Sequence, residues 1–191
     1  MNGKRVAVIG ALAIGLAANS SAFSGAEPAM CSAGGAVDFG SVHPQDAALS
    51  SALADGLERS ATLRGLVRRI QLLNGVVFLA AGPWRNQADR TVFSGGMAHT
   101  VAVRGQWRIL FGRVEPSRGD ATIATIGHEL RHAVEILETP GIVDAASIER
   151  LYERIGFETH AGAYETENAG RAERAVRSEL SRCRRVAVTN R

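Results

Sequence analysis

The stretch "TIATIGHELRHAVEIL" (residues 122–137) decides how this chain is interpreted. It places two histidines, His128 and His132, four residues apart, and Glu129 directly follows the first of them. The apolar residues around them recur at the spacing of an amphipathic helix. Residues four apart on a helix lie one turn apart on the same face. The stretch therefore predicts a helix whose two imidazoles face the same point.

This arrangement matches the HExxH pattern of zinc sites, because two imidazoles one turn apart can bind the same ion. Two imidazoles and one carboxylate leave an open tetrahedral position for water on Zn²⁺. Glu129 lies about 100° around the helix from His128, where it can act as general base on the zinc-bound water. We therefore expect Zn²⁺ as cofactor, His128 and His132 as ligands, and Glu129 as the catalytic residue. The competing interpretation is an ordinary helix with two exposed or packed histidines.

A third metal ligand has to come from another part of the chain, and the segment "FETHAGAYETEN" offers three candidates. Glu165 is the first, because it falls on the apolar stripe of a helix predicted over residues 162–180, where an unpaired carboxylate is costly to bury. The other interpretation of Glu165 is an acidic residue favoured by the dipole at the start of that helix. Glu158 is the second candidate and His160 the third. Glu135 shares the face of the two histidines, but one straight helix rarely supplies three ligands.

A hydrolytic site of this kind also needs a donor for the negative charge that develops on the attacked carbonyl oxygen. The two tyrosines of the chain, Tyr152 and Tyr164, are candidates, together with His160. The remaining histidines, His43 and His99, are expected to have no metal role. His99 alternates with apolar residues in a predicted strand, which is typical of a sheet histidine.

The rest of the sequence predicts helices over residues 44–73, then three strands, the histidine helix and two further helices. "NGVVFLAAGP" is a short apolar run bounded by turn residues, which predicts a buried strand. "MAHTVAVRGQWRILFGRV" predicts a hairpin that turns at Arg104 and Gly105. The order of elements favours the α+β class, with a small, mostly antiparallel sheet. The predicted helix boundaries are an N-cap at Ser60, an N-cap at Asp120, a stop at Pro140-Gly141 and an N-cap at Asp144.

Residues 1–26 are expected to be a secretory signal peptide, followed by a single domain over residues 27–191. Lys4 and Arg5 precede an apolar run that is shorter than the roughly 20 residues needed to span a bilayer. Small residues after the run offer a cleavage site. We therefore expect export to the periplasm or the extracellular space, without stable membrane insertion after cleavage. The alternative is an uncleaved anchor.

Charge and cysteine content narrow the choice of partners. The formal net charge is +3 at pH 7, and the loss of Lys4 and Arg5 with the signal peptide would leave the rest nearly neutral. No stretch combines clustered arginines with interleaved aromatic residues, so we expect no nucleic-acid partner. Cys31 and Cys183 either pair in an oxidising compartment or remain separate thiols. The sequence leaves this choice open, as it does the oligomeric state.

The "GHELRH" helix after a small sheet resembles the HExxH zinc metallopeptidases, the zincins. The order of predicted strands and helices resembles that of the zincins over about residues 101–180, whereas the shared motif covers five residues. Glu135 and Glu138 stand where the metzincin branch has Gly and His, so the chain is more similar to the gluzincin branch, which takes its third ligand from a glutamate on a later helix. The resemblance, together with the arginine-rich composition, implies a small exported bacterial member. It also implies that the strand "WRILFGRV" pairs with an extended peptide or protein substrate.

The sequence thus predicts a zinc-dependent hydrolase, most simply a peptidase, in which Glu129 activates a zinc-bound water. The alternative is a non-catalytic, zincin-like envelope domain whose metal is structural or absent and which acts as a binding module. The small size of the chain motivates this alternative, because few residues remain to build specificity pockets. A closed shell with both Glu158 and Glu165 on the metal would support it, and an open position would argue against it.

Overall fold

The computed structural model describes residues 39–85, 92–93, 95–104, 106–160 and 163–189. The predicted signal peptide and Cys31 lie outside the described residues. The side chains of His99 and His160 lie outside the described part as well.

The described residues form helices and short strands. The helices are α1 (Ala47–Arg59), α2 (Ala61–Leu72), α3 (Asp120–Glu138), α4 (Ala145–Ile155) and α5 (Glu167–Thr189). The strands are β1 (Val42–Pro44), β2 (Gly75–Ala81), β3 (Trp84–Arg85), β4 (Val92–Phe93), β5 (Gly95–Arg104), β6 (Trp107–Val114), β7 (Phe157–His160) and β8 (Ala163–Glu165). This mixture of helices and a small sheet confirms the mixed fold class. None of the described helices is long and apolar enough to cross a membrane.

The main sheet has four strands in the order β1-β2-β6-β5. β1, β2 and β6 run parallel, and only β5 is antiparallel to its neighbour. The prediction of a mostly antiparallel sheet was therefore wrong. Between β1 and β2 the cause is the helical crossover through α1 and α2, which makes those two strands parallel. β6 is parallel to β2 because the chain first returns through β5, which is antiparallel to β6. The predicted β5–β6 hairpin was correct, with Arg104 paired to Trp107 across the turn.

The core lies between one face of this sheet and the helices, with α3 at its centre. In β2 the side chains of Val77 and Leu79 are fully buried, and alternate residues of β6 are buried in the same way. α3 packs against α1, α2, α5 and the strands β5 and β6. A Cβ added to Gly127 would come within 2.8 Å of Val176 Cγ2 on α5. The glycine thus lets α5 approach the helix that carries both histidines.

Three of the four predicted helix boundaries are found in the structure. The hydroxyl of Ser60 accepts a hydrogen bond from the Leu63 amide, and Asp144 forms a capping box with Ser147. α3 ends at Glu138, just before the predicted stop. The predicted N-cap at Asp120 was wrong. Asp120 is the first residue of α3, and its carboxylate instead accepts from Arg59 Nη2 at 2.7 Å.

The last helix starts later than its apolar stripe predicted. It begins at Glu167, because the preceding residues form the β7–β8 hairpin and the Thr166 hydroxyl accepts a hydrogen bond from the Ala169 amide. A side-chain acceptor three residues before the amide is the geometry of an N-cap. Glu165 therefore lies at the end of β8 and not on a helix. Cys183, on α5, is buried and disulfide-bonded, and Cys31 lies outside the described residues.

Candidate metal centre

His128, His132 and Glu165 point their side chains at one another. The two imidazole rings meet edge to face, with centroids 4.8 Å apart, and their Nε2 atoms are 3.1 Å apart. Glu165 Oε2 lies 3.0 Å from His128 Nε2 and 3.9 Å from His132 Nε2. These are the three residues that the sequence proposed as metal ligands.

The size of this triangle can be compared with that of a zinc site. A circle through the three atoms has a radius of about 2.0 Å, and zinc binds imidazole nitrogen at about 2.0–2.1 Å and carboxylate oxygen at about 2.0–2.2 Å. An ion held by all three atoms would therefore find them at its usual bond lengths. Three protein ligands would leave a fourth position for water. The donor set and its spacing fit zinc.

Glu158, the second candidate ligand, does not join this group. It pairs with Tyr164 across the β7–β8 hairpin, so the two side chains share one face of the hairpin. Successive residues of a strand point to opposite faces, so Glu165 points to the other face from Tyr164 and Glu158. Glu158 is also exposed. Of these two candidates for the third ligand, the structure brings Glu165 to the histidines and not Glu158. The third candidate, His160, lies opposite Ala163 in the ladder, and its side chain is outside the described part.

Glu135 contacts the ring of His132 at Nδ1, the nitrogen opposite the one that faces Glu165. Its Oε2 lies 3.1 Å from His132 Nδ1, and its Oε1 accepts a hydrogen bond from Thr166 Oγ1 at 2.9 Å. Burial alone would raise the pKa of Glu135, but the hydrogen bond with His132 outweighs it and lowers that pKa. An ionised Glu135 keeps the proton of a neutral His132 on Nδ1, which leaves the lone pair of Nε2 facing Glu165.

The triangle attracts positive charge strongly. Burial disfavours an ionised Glu165, yet its hydrogen bonds with the two histidines lower its pKa to about 2. Burial likewise disfavours a protonated His132, yet hydrogen bonds with Glu135 and Glu165 raise its pKa to about 10. Two imidazole nitrogens and a carboxylate oxygen at this spacing need either shared protons or a metal ion between them. A divalent cation meets that need with the lone pairs of all three atoms.

Glu129 is buried beside this group and has an unused oxygen. Its side chain is among the buried polar groups, and Oε2 has no hydrogen-bond partner within the described structure. Burial raises the pKa of Glu129 to about 7, although the nearby imidazoles oppose the shift. A carboxylate with a pKa near neutrality can both accept and return a proton at physiological pH. Its state is that expected of a general base.

Neither tyrosine is placed to stabilise an oxyanion. The Tyr152 hydroxyl is buried and donates to the backbone carbonyl of His132 at 3.3 Å, and its ring packs edge to face on the His132 ring. Tyr152 therefore supports the histidine helix. Tyr164 shares the face of Glu158 and points away from Glu165. Of the three candidates for the oxyanion donor, Tyr152 is thus engaged by the His132 backbone and Tyr164 lies on the other face of the hairpin from Glu165.

Three residues near the histidines were not recognised from the sequence in these roles. Glu135 and Thr166 fix His132 as described, and Glu173 Oε2 lies 3.3 Å from His128 Nδ1 without the alignment of a hydrogen bond. Glu173 also accepts a hydrogen bond from Arg177 Nη2 at 2.6 Å. One available signal was the position of Glu173, four residues after the buried Ala169 on the face of α5 that packs against α3.

No protein-family model matches the sequence, and no curated protein and no solved structure matches it either. The likeness to the zincins thus consists of one motif and an order of elements.

Proposed function

We propose that the protein is a zinc-dependent hydrolase, most simply a peptidase. The observation that carries this proposal is the triangle of His128, His132 and Glu165 donor atoms at zinc spacing, with the buried, unpaired oxygen of Glu129 beside it. A metal site of structural purpose alone has no use for such a carboxylate, which is costly to bury without a partner.

Each residue has a separate role in this proposal. His128, His132 and Glu165 hold the ion, and zinc, when bound, supplies Lewis-acid activation of water and of the scissile carbonyl. Glu129 takes a proton from the attacking water and later gives it to the leaving amine. Its buried Oε2, which has no hydrogen-bond partner in the described structure, can accept that proton. Glu135 and Tyr152 orient His132 and do not touch the substrate.

An extended substrate fits the edge strand β5 better than β6. β6 lies between β2 and β5, so both of its edges are already paired, and "WRILFGRV" cannot add a further strand. β5 lies against α3 and α4, and in the described structure no strand pairs with its other edge. A free sheet edge offers backbone hydrogen bonds to an extended peptide. We therefore assign substrate pairing to β5 in place of β6.

The alternative of a non-catalytic domain with a closed metal shell has less support. Such a shell needs a fourth protein ligand, and Glu158, which was to supply it, points to the other face of the β7–β8 hairpin. Among the described residues, three ligand groups converge. Three protein ligands with one open position are typical of catalytic zinc.

The test uses purified protein with three substitutions. The wild type should hold about one zinc per chain and cleave peptides in a chelator-sensitive manner. His128→Ala should lose the zinc, whereas Glu129→Gln should keep it and lose hydrolysis, because the base is removed and the ligands remain. His43→Ala serves as the control, since His43 lies on β1 against Phe78 and should leave zinc and activity unchanged. Full zinc content in His128→Ala, or chelator-sensitive cleavage by Glu129→Gln, would contradict the assignment.

Export to the periplasm or the extracellular space, and a peptide or protein as substrate, remain parts of this proposal. Export depends on residues 1–26, which lie outside the described structure. Detection of the mature chain outside the cytoplasm, with an N-terminus near residue 27, is the corresponding measurement.

A further inference from the structure

The side chains of His132, Glu135 and Thr166 form a continuous hydrogen-bonded row, which we call the Glu135 clamp. We propose that this clamp holds His132 and Glu165, which lie on separate elements, at the spacing a metal ion needs. Glu135 and Thr166 are positioning residues in this inference. It rests on the proposed function, since it concerns the same metal site.

One end of the clamp fixes a ring. Glu135 follows His132 by three residues on α3, and both side chains are buried. The contact of 3.1 Å between Glu135 Oε2 and His132 Nδ1 sets both the tilt of the imidazole and the nitrogen that carries its proton. A carboxylate in this position also makes the opposite nitrogen a better ligand.

The other end of the clamp fixes the strand that carries the third ligand. Thr166 directly follows Glu165 and is 3% exposed. Its hydroxyl donates to Glu135 Oε1 at 2.9 Å and accepts from the Ala169 amide at 3.1 Å. One hydroxyl therefore joins α3, the end of β8 and the start of α5. Because Glu165 is its neighbour in the chain, a shift of Thr166 displaces the carboxylate of Glu165.

Within the described residues, His128 has no equivalent support. The Glu173 carboxylate lies near His128 Nδ1 but is not aligned for a hydrogen bond. The Glu173 side chain is 29% exposed and forms an ion pair with Arg177. Both oxygens of Glu135, by contrast, are used inside the protein, and Arg131 Nε lies 3.6 Å from one of them. The clamp therefore fixes Thr166, and with it the neighbouring Glu165, relative to α3.

The chain contains a matched control for this pair. Glu179 on α5 accepts a hydrogen bond from Thr62 Oγ1 at 2.8 Å and one from Ser60, which joins α5 to the start of α2. The chemistry is the same, a threonine hydroxyl on a partly buried glutamate, but neither residue contacts the two histidines. Thr62→Val and Glu179→Gln should lower stability and leave zinc affinity unchanged.

The experiment compares zinc dissociation constants, measured by competition with a chromophoric chelator, in the full chain. Thr166→Val removes the hydroxyl, and Glu135→Gln leaves an amide whose single acceptor oxygen can keep only one of the two hydrogen bonds. Each should weaken zinc binding by about 10- to 100-fold, the usual effect of losing such a partner. Thr166→Ser keeps the hydroxyl and should bind within about 3-fold of the wild type.

A second readout separates positioning from general loss of stability. The visible absorption of Co²⁺ in the site reports ligand geometry, and it should change in Thr166→Val and Glu135→Gln but not in Thr62→Val. If Thr166→Val does not fold, Glu135→Gln and Thr166→Ser still decide the question. The clamp is refuted if Glu135→Gln and Thr166→Val bind zinc as tightly as the wild type, or if the control pair loses as much affinity. Failure of the wild type to bind zinc would refute the proposed function itself.

Discussion

Glu129 illustrates, at the scale of one residue, how the group proposed as the general base lowers stability. Its carboxylate is buried, one oxygen lacks a partner in the described structure, and burial disfavours its charge and raises its pKa to about 7. Buried groups of this kind are kept in spite of their cost where chemistry needs them. The cost can be measured.

Glu129→Gln should therefore raise the melting temperature of the zinc-free protein. The amide removes a buried charge and can donate to the oxygen-rich surroundings, so a gain of at least about 2 °C is expected for a chain of this length. Glu179→Gln is the matched control and should lower the melting temperature, because both carboxylate oxygens of Glu179 accept hydrogen bonds. Calorimetry of both chelated variants checks the pair. A lower melting temperature in Glu129→Gln would show that its charge is well compensated.

The sequence predicted the local part of the site and not the part built by tertiary contacts. His128, Glu129 and His132 follow from the helical period alone, because their spacing fixes their geometry. Glu165 was identified as a costly carboxylate, although it proved to lie on β8 and not on a helix. The contact between Glu135 and Thr166 joins residues 31 apart in the chain, and no periodic pattern reports such a contact.

At the scale of elements, the close approach of α3 and α5 depends on the absence of a side chain at Gly127. Gly127 directly precedes His128, and its missing side chain makes room for Val176. A bulkier residue would push α5 away and move Glu173 with it.

Gly127→Ala should therefore lower the free energy of unfolding by about 1–3 kcal/mol, the usual cost of overpacking a core, and should weaken zinc binding. Gly65→Ala is the control, because Gly65 lies within α2 with nothing within 4 Å of an added Cβ. It should instead stabilise the protein by about 0.5–1 kcal/mol through helix propensity. Urea denaturation of both variants measures the difference. Equal effects in the two variants would mean that the helices do not meet at Gly127.

Elements were predicted well where their signals are local. The caps at Ser60 and Asp144 use side chains three residues from the amides they bind, so the sequence contains the whole interaction. The parallel direction of β1, β2 and β6 depends on pairing between distant segments, and β1 is too short for a periodic pattern. The β7–β8 hairpin lies where an apolar stripe favoured a helix, and tertiary contacts decided between the two.

At the scale of the whole molecule, the proposed zinc ion would join elements from distant parts of the chain. Two of its ligands lie on α3, in the core, and the third lies at the end of β8, next to the start of α5. An ion that binds only the folded chain stabilises it by mass action, by about 2.7 kcal/mol at 100 times the dissociation constant.

Addition of zinc to the chelated protein should therefore raise its melting temperature by roughly 5–10 °C under those conditions. His128→Ala should show no such rise, and Mg²⁺ should not replace zinc, because it prefers six oxygen ligands. Thermal scans with and without each metal check this prediction. An equal response of the wild type and His128→Ala would place the zinc elsewhere.

The junction between β8 and α5 combines three tasks in consecutive residues. Glu165 is the proposed ligand, Thr166 caps the helix and reaches Glu135, and Glu167 begins the helical hydrogen bonding. A residue inserted between Glu165 and Thr166 would turn one of the two side chains to the opposite face. Most surface connections accept added length at little cost in free energy. At this junction, by contrast, the number of residues cannot change without displacing a side chain. Insertions and deletions should therefore be excluded here even where substitutions are tolerated.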